Sequence, residues 1–414
     1  MAGEKQNIKF TDEEIQLSAM IAESLSGCKK ASDGSEKADP SKLLMLAATH
    51  SVLPVIYSLA RNLPLSEDDH RMLEGAMQES ARTFYQFLRL SDRVVKLFQK
   101  AEIPVAVLKG VSVACLYPMP EMRRSSDIDL LLLNTEHLKK AEELLLTAGY
   151  RPMEEQFTNH HREWATPENR ILELHTMVVE PMDDAGRNRW IEKRFQLSED
   201  MLFTRKALTV SFPALPEDLL AFHLLLHMLM HFVGSGFGLK LLCDWVVFWN
   251  RSVEKKETER FLRDIRECRL ERFLSAVTTI CVRYFGLKTD GTGTLRETET
   301  DYLYEDGVFC KKSPDDVVCE LMREILDAEK EKAPDSARMV ALRGDGFFDY
   351  VREFHHQTVL AFPKLSKTIV LLPGLYLIVL VRFLKNNKTR RGGQSAAAIL
   401  KDAGRRGRLT KKLL

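Results

Sequence analysis

The chain has 414 residues, 45% hydrophobic and 29% charged, with a formal net charge of +1. That length predicts two or three domains, and the near-neutral balance argues against a wholesale nucleic-acid coat. The seven cysteines (Cys28, Cys115, Cys243, Cys268, Cys281, Cys310, Cys319) are scattered with no C-x-x-C pair. A disulfide framework or zinc knuckle is therefore not expected, no disulfide partner is assigned, and a reducing cytosol is the expected compartment. The opening MAGEKQNIKFTDEE carries acids where a secretion signal needs a basic start and an apolar core.

Residues 1–100 read as a helical region. TDEEIQLSAMIAES has a Thr cap at Thr11, carboxylates in its first turn and one apolar face. ASDGSEKADP is a loop by composition, and SKLLMLAATHSVLPVIYSLA is a helix interrupted near Pro54. ESARTFYQFLRLSDRVVKLFQKA, Glu79 to Ala101, is a long amphipathic helix. The period then changes. IPVAVLKG predicts a strand and a turn, VSVACLYP a single helical segment stopped at Pro118, and DIDLLLL a strand covered on both faces. TEHLKKAEELLLTAGY is a helix from Thr135 to Gly149, and REWATPENRILELHTMV is a hairpin turning at Pro167-Glu168-Asn169. Together residues 101–210 predict a small mixed sheet. From Pro216 helices return through 211–345, with GSGFG as a break and GLKTDGTGTLRETETD as a polar loop. Residues 346–414 hold an apolar segment and a basic tail.

The informative feature is RRSSDIDLLLL. Side chains alternate along a strand, so Asp127 and Asp129 point one way while Ile128 turns to the core. Two like charges this close repel unless a cation lies between them, and hard oxygens suit Mg²⁺. In ILELH, Glu173 on a later strand supplies a third carboxylate, with His175 on the same face. The bland alternative is an exposed strand end with solvated acids. The interruption of an apolar strand by two acids, the preceding LKG turn and the lone later Glu favour a metal site.

These residues resemble a known family. VLKGVSVACLYPMPEMRRSSDIDLLLL followed by ILELH is similar to the uncharacterised nucleotidyltransferase family of the polymerase-β-like superfamily, with further similarity in LAATHSVLPVIYSLA, LLLHMLMHF and GLKLLCDWVVF, so that it covers residues 40 to 250. The resemblance implies an α+β fold, a small mixed β-sheet of polymerase-β-like type embedded in a largely helical chain. It implies Mg²⁺, or Mn²⁺, held by Asp127, Asp129 and Glu173, and an NTP such as ATP as substrate with an unknown hydroxyl acceptor. Lys109 and Gly110 stand where the superfamily more often has Gly-Ser, the turn that holds the phosphates. Lys109 then either contributes charge to the triphosphate or caps the turn. Arg123, four residues before Asp127, matches a family Arg and is expected to reach a phosphate with its forked donors. The competing reading is a non-catalytic member that binds nucleotide or a partner.

Other clusters have two readings each. His223, His227 and His231 stack at helical spacing, either packed against a neighbouring domain or facing a metal or phosphate, with the resemblance drawing His227 and His231 toward the cleft. Asp244, a lone acid in an apolar helix, is expected to pair with Lys240 one turn earlier, or else to contact nucleotide. His160-His161 is expected in a solvated loop. Thr368 to Val381 is a 14-residue apolar run broken by Pro373-Gly374. A spanning helix needs about 20 residues, so this run is expected as a core or re-entrant helical pair, with membrane-surface contact as the alternative. From Arg382 onward, 11 Lys/Arg stand against the single acid Asp402. That asymmetry points either to a polyanion or membrane surface as partner or to a solvated tail.

Overall fold

The computed structural model describes residues 10–27, 38–153, 160–182, 184–234, 236–288, 315–328, 346–362, 365–390 and 396–414. Most of the two polar loops expected at 31–40 and 286–301 therefore lies outside the described residues.

The N-terminal helices form where caps and apolar spacing coincide. Helix α1 (Asp12–Ser26) begins with a capping box: Thr11 Oγ1 accepts from the Glu14 amide, and the Glu14 carboxylate accepts from the Thr11 amide. Helices α2 (Pro40–Thr49) and α3 (Leu53–Ala60) are the two halves of the segment expected to break near Pro54, which lies in the first turn of α3. Helix α4 (Glu67–Lys100) is capped by Ser66 and starts a dozen residues before its expected beginning at Glu79. It buries Phe84, Phe87, Leu88, Val94, Val95 and Phe98.

The sheet follows: β1 (Val105–Val107), the short helix α5 (Val111–Ala114), β2 (Asp127–Leu132), helix α6 (Leu138–Thr147), then β3 (Arg151–Pro152), β4 (His161–Ala165) and β5 (Ile171–His175). After helix α7 (Ala185–Arg194) come β6 (Phe203–Ala207) and β7 (Val210–Ala214). The seven strands lie in the order β3-β4-β5-β2-β1-β7-β6. β2 runs antiparallel to β1 and parallel to β5, and β1 runs parallel to β7. The sheet is thus mixed, as expected, but larger. The sequence carries no signal for the β6–β7 hairpin, because LFTRKALTV is mostly exposed and lacks a clean apolar alternation.

Period-two alternation gives the sheet two unlike faces. Val105, Val107, Ile128, Leu130, Leu132, Leu172 and Leu174 pack with the buried side of α4 and with Ala141 and Leu145 of α6. Ala106, Leu108 and Leu131 point the other way, into the larger core. That core includes α1–α3, α8 (Glu217–Gly234), α9 (Leu239–Trp249), α10 (Lys255–Glu267), α11 (Glu271–Tyr284) and α12 (Asp315–Ala328). Asp127, Asp129, Glu173 and His175 belong to this second face by register. Both cores cross the boundaries expected at 100 and 210, since α4 covers one face of the sheet and α1–α3 pack with the later helices.

Helices α13 (Phe347–Ala361), α14 (Leu372–Arg390) and α15 (Ala396–Leu413) end the described chain. The α15 half of the basic tail is no free arm: Leu409 and Leu413 are buried in the larger core, and Lys412 and Arg405 pair with Glu320 and Glu324 of α12.

Candidate active site

The LKG turn is built so that backbone can pass close beneath the acids. Leu108 donates its N–H to the Asp129 carbonyl at 3.1 Å, extending the β1–β2 ladder. Gly110 then takes φ +63° and ψ −116°, a conformation open to glycine and strained for other residues. A Cβ here would lie 3.5 Å from the Asp127 carbonyl oxygen.

Asp129 lies directly across the parallel ladder from Glu173, and Asp127 across from Ile171. Between the aspartates is Lys109, its Nζ 2.7 Å from Asp129 Oδ1 and 3.5 Å from Asp127 Oδ2. His175 Nε2 is 3.2 Å from Asp129 Oδ1 and 3.1 Å from Glu173 Oε2. Three acids and two bases therefore form one connected cluster.

Charge within the cluster is self-consistent. Burial opposes the charge on Lys109, but Asp127, Asp129 and Glu173 outweigh it and hold the ammonium above its ordinary range. Burial pushes Glu173 up, yet the His175 hydrogen bond and the Lys109 charge carry it down to about 2. For His175, burial disfavours the cation, while hydrogen bonds to Asp129 and Glu173 prevail and raise it to about 9. Asp129 is likewise held low against burial, mainly by Lys109.

The donors suit a hard divalent ion. Asp129, Glu173 and His175 each offer a ligand atom within 4.8 Å of the others. Asp129 Oδ2 is buried with no hydrogen-bond partner, leaving a lone pair for a cation to take. Asp127 joins this set through Lys109. A second constellation abuts the first. His161 pairs with His175 across β4–β5, and His160, His161 and His175 also offer ligand atoms within 4.8 Å of one another. The solvated loop expected for His160-His161 is therefore corrected: His161 is buried, because the β4 register turns it toward His175.

Arg123 spends its donors within the protein. Its Nε and Nη2 donate to Asp244 Oδ1 and Oδ2 at 2.8 and 2.9 Å, its Nη1 donates to Ser125 Oγ at 2.8 Å, and Tyr117 donates its hydroxyl to Asp244 Oδ1 at 2.7 Å. This brace ties the segment leading into β2 to α9, with Arg123, Tyr117 and Asp244 buried and Ser125 half-buried. The expected Lys240–Asp244 pair does not form, since Arg123 and Tyr117 already occupy the carboxylate. Lys240 stays half-buried with no ion-pair partner among the described residues. Burial and then Arg123 lower its pKa, while Asp127 and Asp244 partly offset them.

Of the stacked histidines, His223 is the most deeply buried. It is buried, both ring nitrogens lack hydrogen-bond partners, and burial together with the charges of Lys109 and His175 pushes it down to about 3. His227 is half-buried, with its ring 6.0 Å from that of His223, and His231 is exposed. The i, i+4 spacing marked the stack but not which member faces inward.

A family model described as an uncharacterised nucleotidyltransferase matches residues 36–286, well over half of the chain. The chain belongs to this family. The match takes in the whole cluster, both strands that carry it and the α8–α9 helices that cover it, and the mixed α+β architecture agrees with a nucleotidyltransferase fold. No curated protein matches the chain. Family membership supports nucleotidyl transfer as the general activity and an NTP as substrate.

Proposed function

We propose that this family member is a Mg²⁺-dependent enzyme that moves a nucleoside monophosphate from an NTP to a hydroxyl acceptor and releases pyrophosphate. One observation carries the reading: Asp129 and Glu173 oppose each other across β2–β5, with Asp127 two residues earlier on the same face. Asp127, Asp129 and Glu173 would hold the cation. Mn²⁺ would also be accepted, because carboxylate oxygens suit it as they suit Mg²⁺. When bound, such an ion neutralises triphosphate charge and lowers the pKa of a coordinated hydroxyl.

The remaining roles follow from this chain's own side chains. Lys109 and Lys240, cations bordering the acids, would take triphosphate oxygens, with Gly110 permitting the turn between strand and nucleotide. In place of the phosphate contact expected of Arg123, we assign it the task of fixing the approach to Asp127, since its donors are occupied within the protein. Glu173, held low by the His175 hydrogen bond and the Lys109 charge, would act as ligand and fixed charge. His175, protonated at neutral pH, orients Asp129 and Glu173. The acceptor oxygen bonds to the α-phosphorus as the bond to the β-phosphate bridge breaks. Pyrophosphate departs with that electron pair, and the hydroxyl proton passes to solvent.

The test is transfer from each α-labelled NTP, ATP included, in Mg²⁺ or Mn²⁺ with a cell extract as acceptor source. Asp127→Asn, Asp129→Asn and Glu173→Gln should each lower transfer by about 10³-fold while the fold persists. Equal transfer in any of the three rejects the assignment.

Lys109 favours a second reading. Its ammonium already occupies the space between the aspartates, an arrangement suited to binding nucleotide without turnover. Saturable NTP binding with no transfer in any condition would establish that reading over the first. A reducing, cytosolic setting, expected from the scattered cysteines of the sequence, belongs to either reading.

A further inference from the structure

Residues 354–401 contain no Asp or Glu and eight Lys/Arg. Within this stretch α14 packs on α13. Leu375 is buried, the Phe354 and Tyr376 rings lie 5.6 Å apart, and His355 Nδ1 is 2.9 Å from the Tyr376 hydroxyl. That contact uses one side of α14 only. At 100° per residue, Leu377, Ile378, Leu380, Val381 and Leu384 fan over an arc of about 160° on the opposite side. All five are exposed, Leu377 at 61%. The turn leading into the helix continues the same surface, with Ile369 79% and Val370 86% exposed.

Single exposed aliphatic side chains are ordinary, but a contiguous aliphatic face this wide has a cost in water and marks a contact surface. We propose that this face is a membrane-docking element that lies in the interface of an anionic lipid bilayer without crossing it. Three observations select lipid as the occupant. The exposed face is wholly aliphatic before Arg382, whereas the centre of a protein-binding patch is ordinarily enriched in aromatic residues and arginine. The bases that flank it, with no acid among them, complement anionic headgroups. Its length fits partial insertion: no helix of the described residues is long and apolar enough to span. The inference stands apart from the nucleotidyl-transfer reading, because none of its residues belongs to the cluster.

Flotation of the full chain tests it, with vesicles of phosphatidylcholine alone and of equimolar phosphatidylcholine and phosphatidylglycerol. The chain should float with the anionic vesicles and at least about tenfold less with the neutral ones, given the contribution of each base near a charged surface. Leu377→Ser/Ile378→Ser/Leu380→Ser should lose flotation while keeping its circular dichroism, because these side chains are exposed. If that variant does not fold, Ile369→Ser/Val370→Ser gives the same readout from the turn. Arg382→Gln should weaken anionic flotation about fivefold and leave the neutral value unchanged. No flotation of the parent chain, or equal flotation of the serine variants, overturns the proposal. So does a concentration-dependent dimer that the serine variants abolish while the parent binds no vesicle, an outcome that would identify a second copy as the occupant.

Discussion

Replacing Asp244 by alanine removes, in one step, the acceptor for two Arg123 donors and the Tyr117 hydroxyl. Arg123 is 4% exposed and Asp244 2%, so water cannot take over those bonds without opening the core. Breaking one partner of a buried ion pair costs roughly 3–5 kcal/mol, and the stranded Tyr117 hydroxyl places the expectation toward the upper end, about 4–5 kcal/mol. That is a large share of a typical folding free energy of about 5–15 kcal/mol. Urea unfolding followed by tryptophan fluorescence is the natural assay, since Trp245 and Trp249 are fully buried on the same helix. The double replacement Arg123→Met/Asp244→Leu should recover most of the loss, because a buried pair exchanged for apolar groups of similar volume is often neutral. A cost below about 1 kcal/mol for Asp244→Ala, or a double variant no more stable than the single, would refute the idea that the pair matters through its burial. Kinetics of the double variant bear on function as well. If Arg123 fixes the approach to Asp127, turnover falls and the KM for NTP changes little. A large rise in KM with turnover retained would restore the phosphate contact to Arg123.

Three further outcomes are expected. Metal-free stability should fall with rising pH: His175 is raised from 6.5 to about 9, so its contribution is fully present below pH 6.5 and lost through about 9. The full difference is about 3 kcal/mol, and His175→Gln should flatten this limb in a series of urea titrations. Gly110→Ala should cost about 1–3 kcal/mol, the strain of a side chain at that φ and ψ, read by thermal unfolding. His223→Leu should leave stability equal or raise it by about 1 kcal/mol, because two buried unpaired nitrogens disappear. A loss of several kcal/mol on that change would mean that the imidazole has a partner in solution.

Legibility of the chain followed the range of the interaction. D-I-D placed both aspartates on one face because strand alternation is local, and the PEN turn returned Glu173 to the neighbouring strand for the same reason. The parallel register that sets Asp129 against Glu173 is a long-range pairing of β2 with β5, and the sequence indicates only that Glu173 comes beside the aspartates. Lys109 was harder, because both expected roles, phosphate contact or turn cap, ignored the carboxylates its long side chain could reach. The Arg123–Asp244 brace joins residues 121 apart in sequence, and no local pattern favours it over the Lys240 pair one helical turn away. Helix α7 escaped notice because AGRNRWIEKR has almost no apolar face. It is anchored instead by polar links, Arg194 and Trp190 to Asp264 and Arg187 to the Cys268 carbonyl. The basic tail was read by its charge, although its leucines at 409 and 413, four apart, proved to seat α15 in the core.

That seating has a consequence for biosynthesis. Leu17 and Ile21 of α1 share one apolar cluster with Leu409 and Leu413, and the Glu14 carboxylate accepts from Arg323 at 2.8 Å. The ribosome must therefore deliver the 309 residues from Glu14 to Arg323 before α1 gains that partner, and the last helix later still before the shared cluster is complete. Until then the early helices expose greasy surface that nascent-chain chaperones would have to shield.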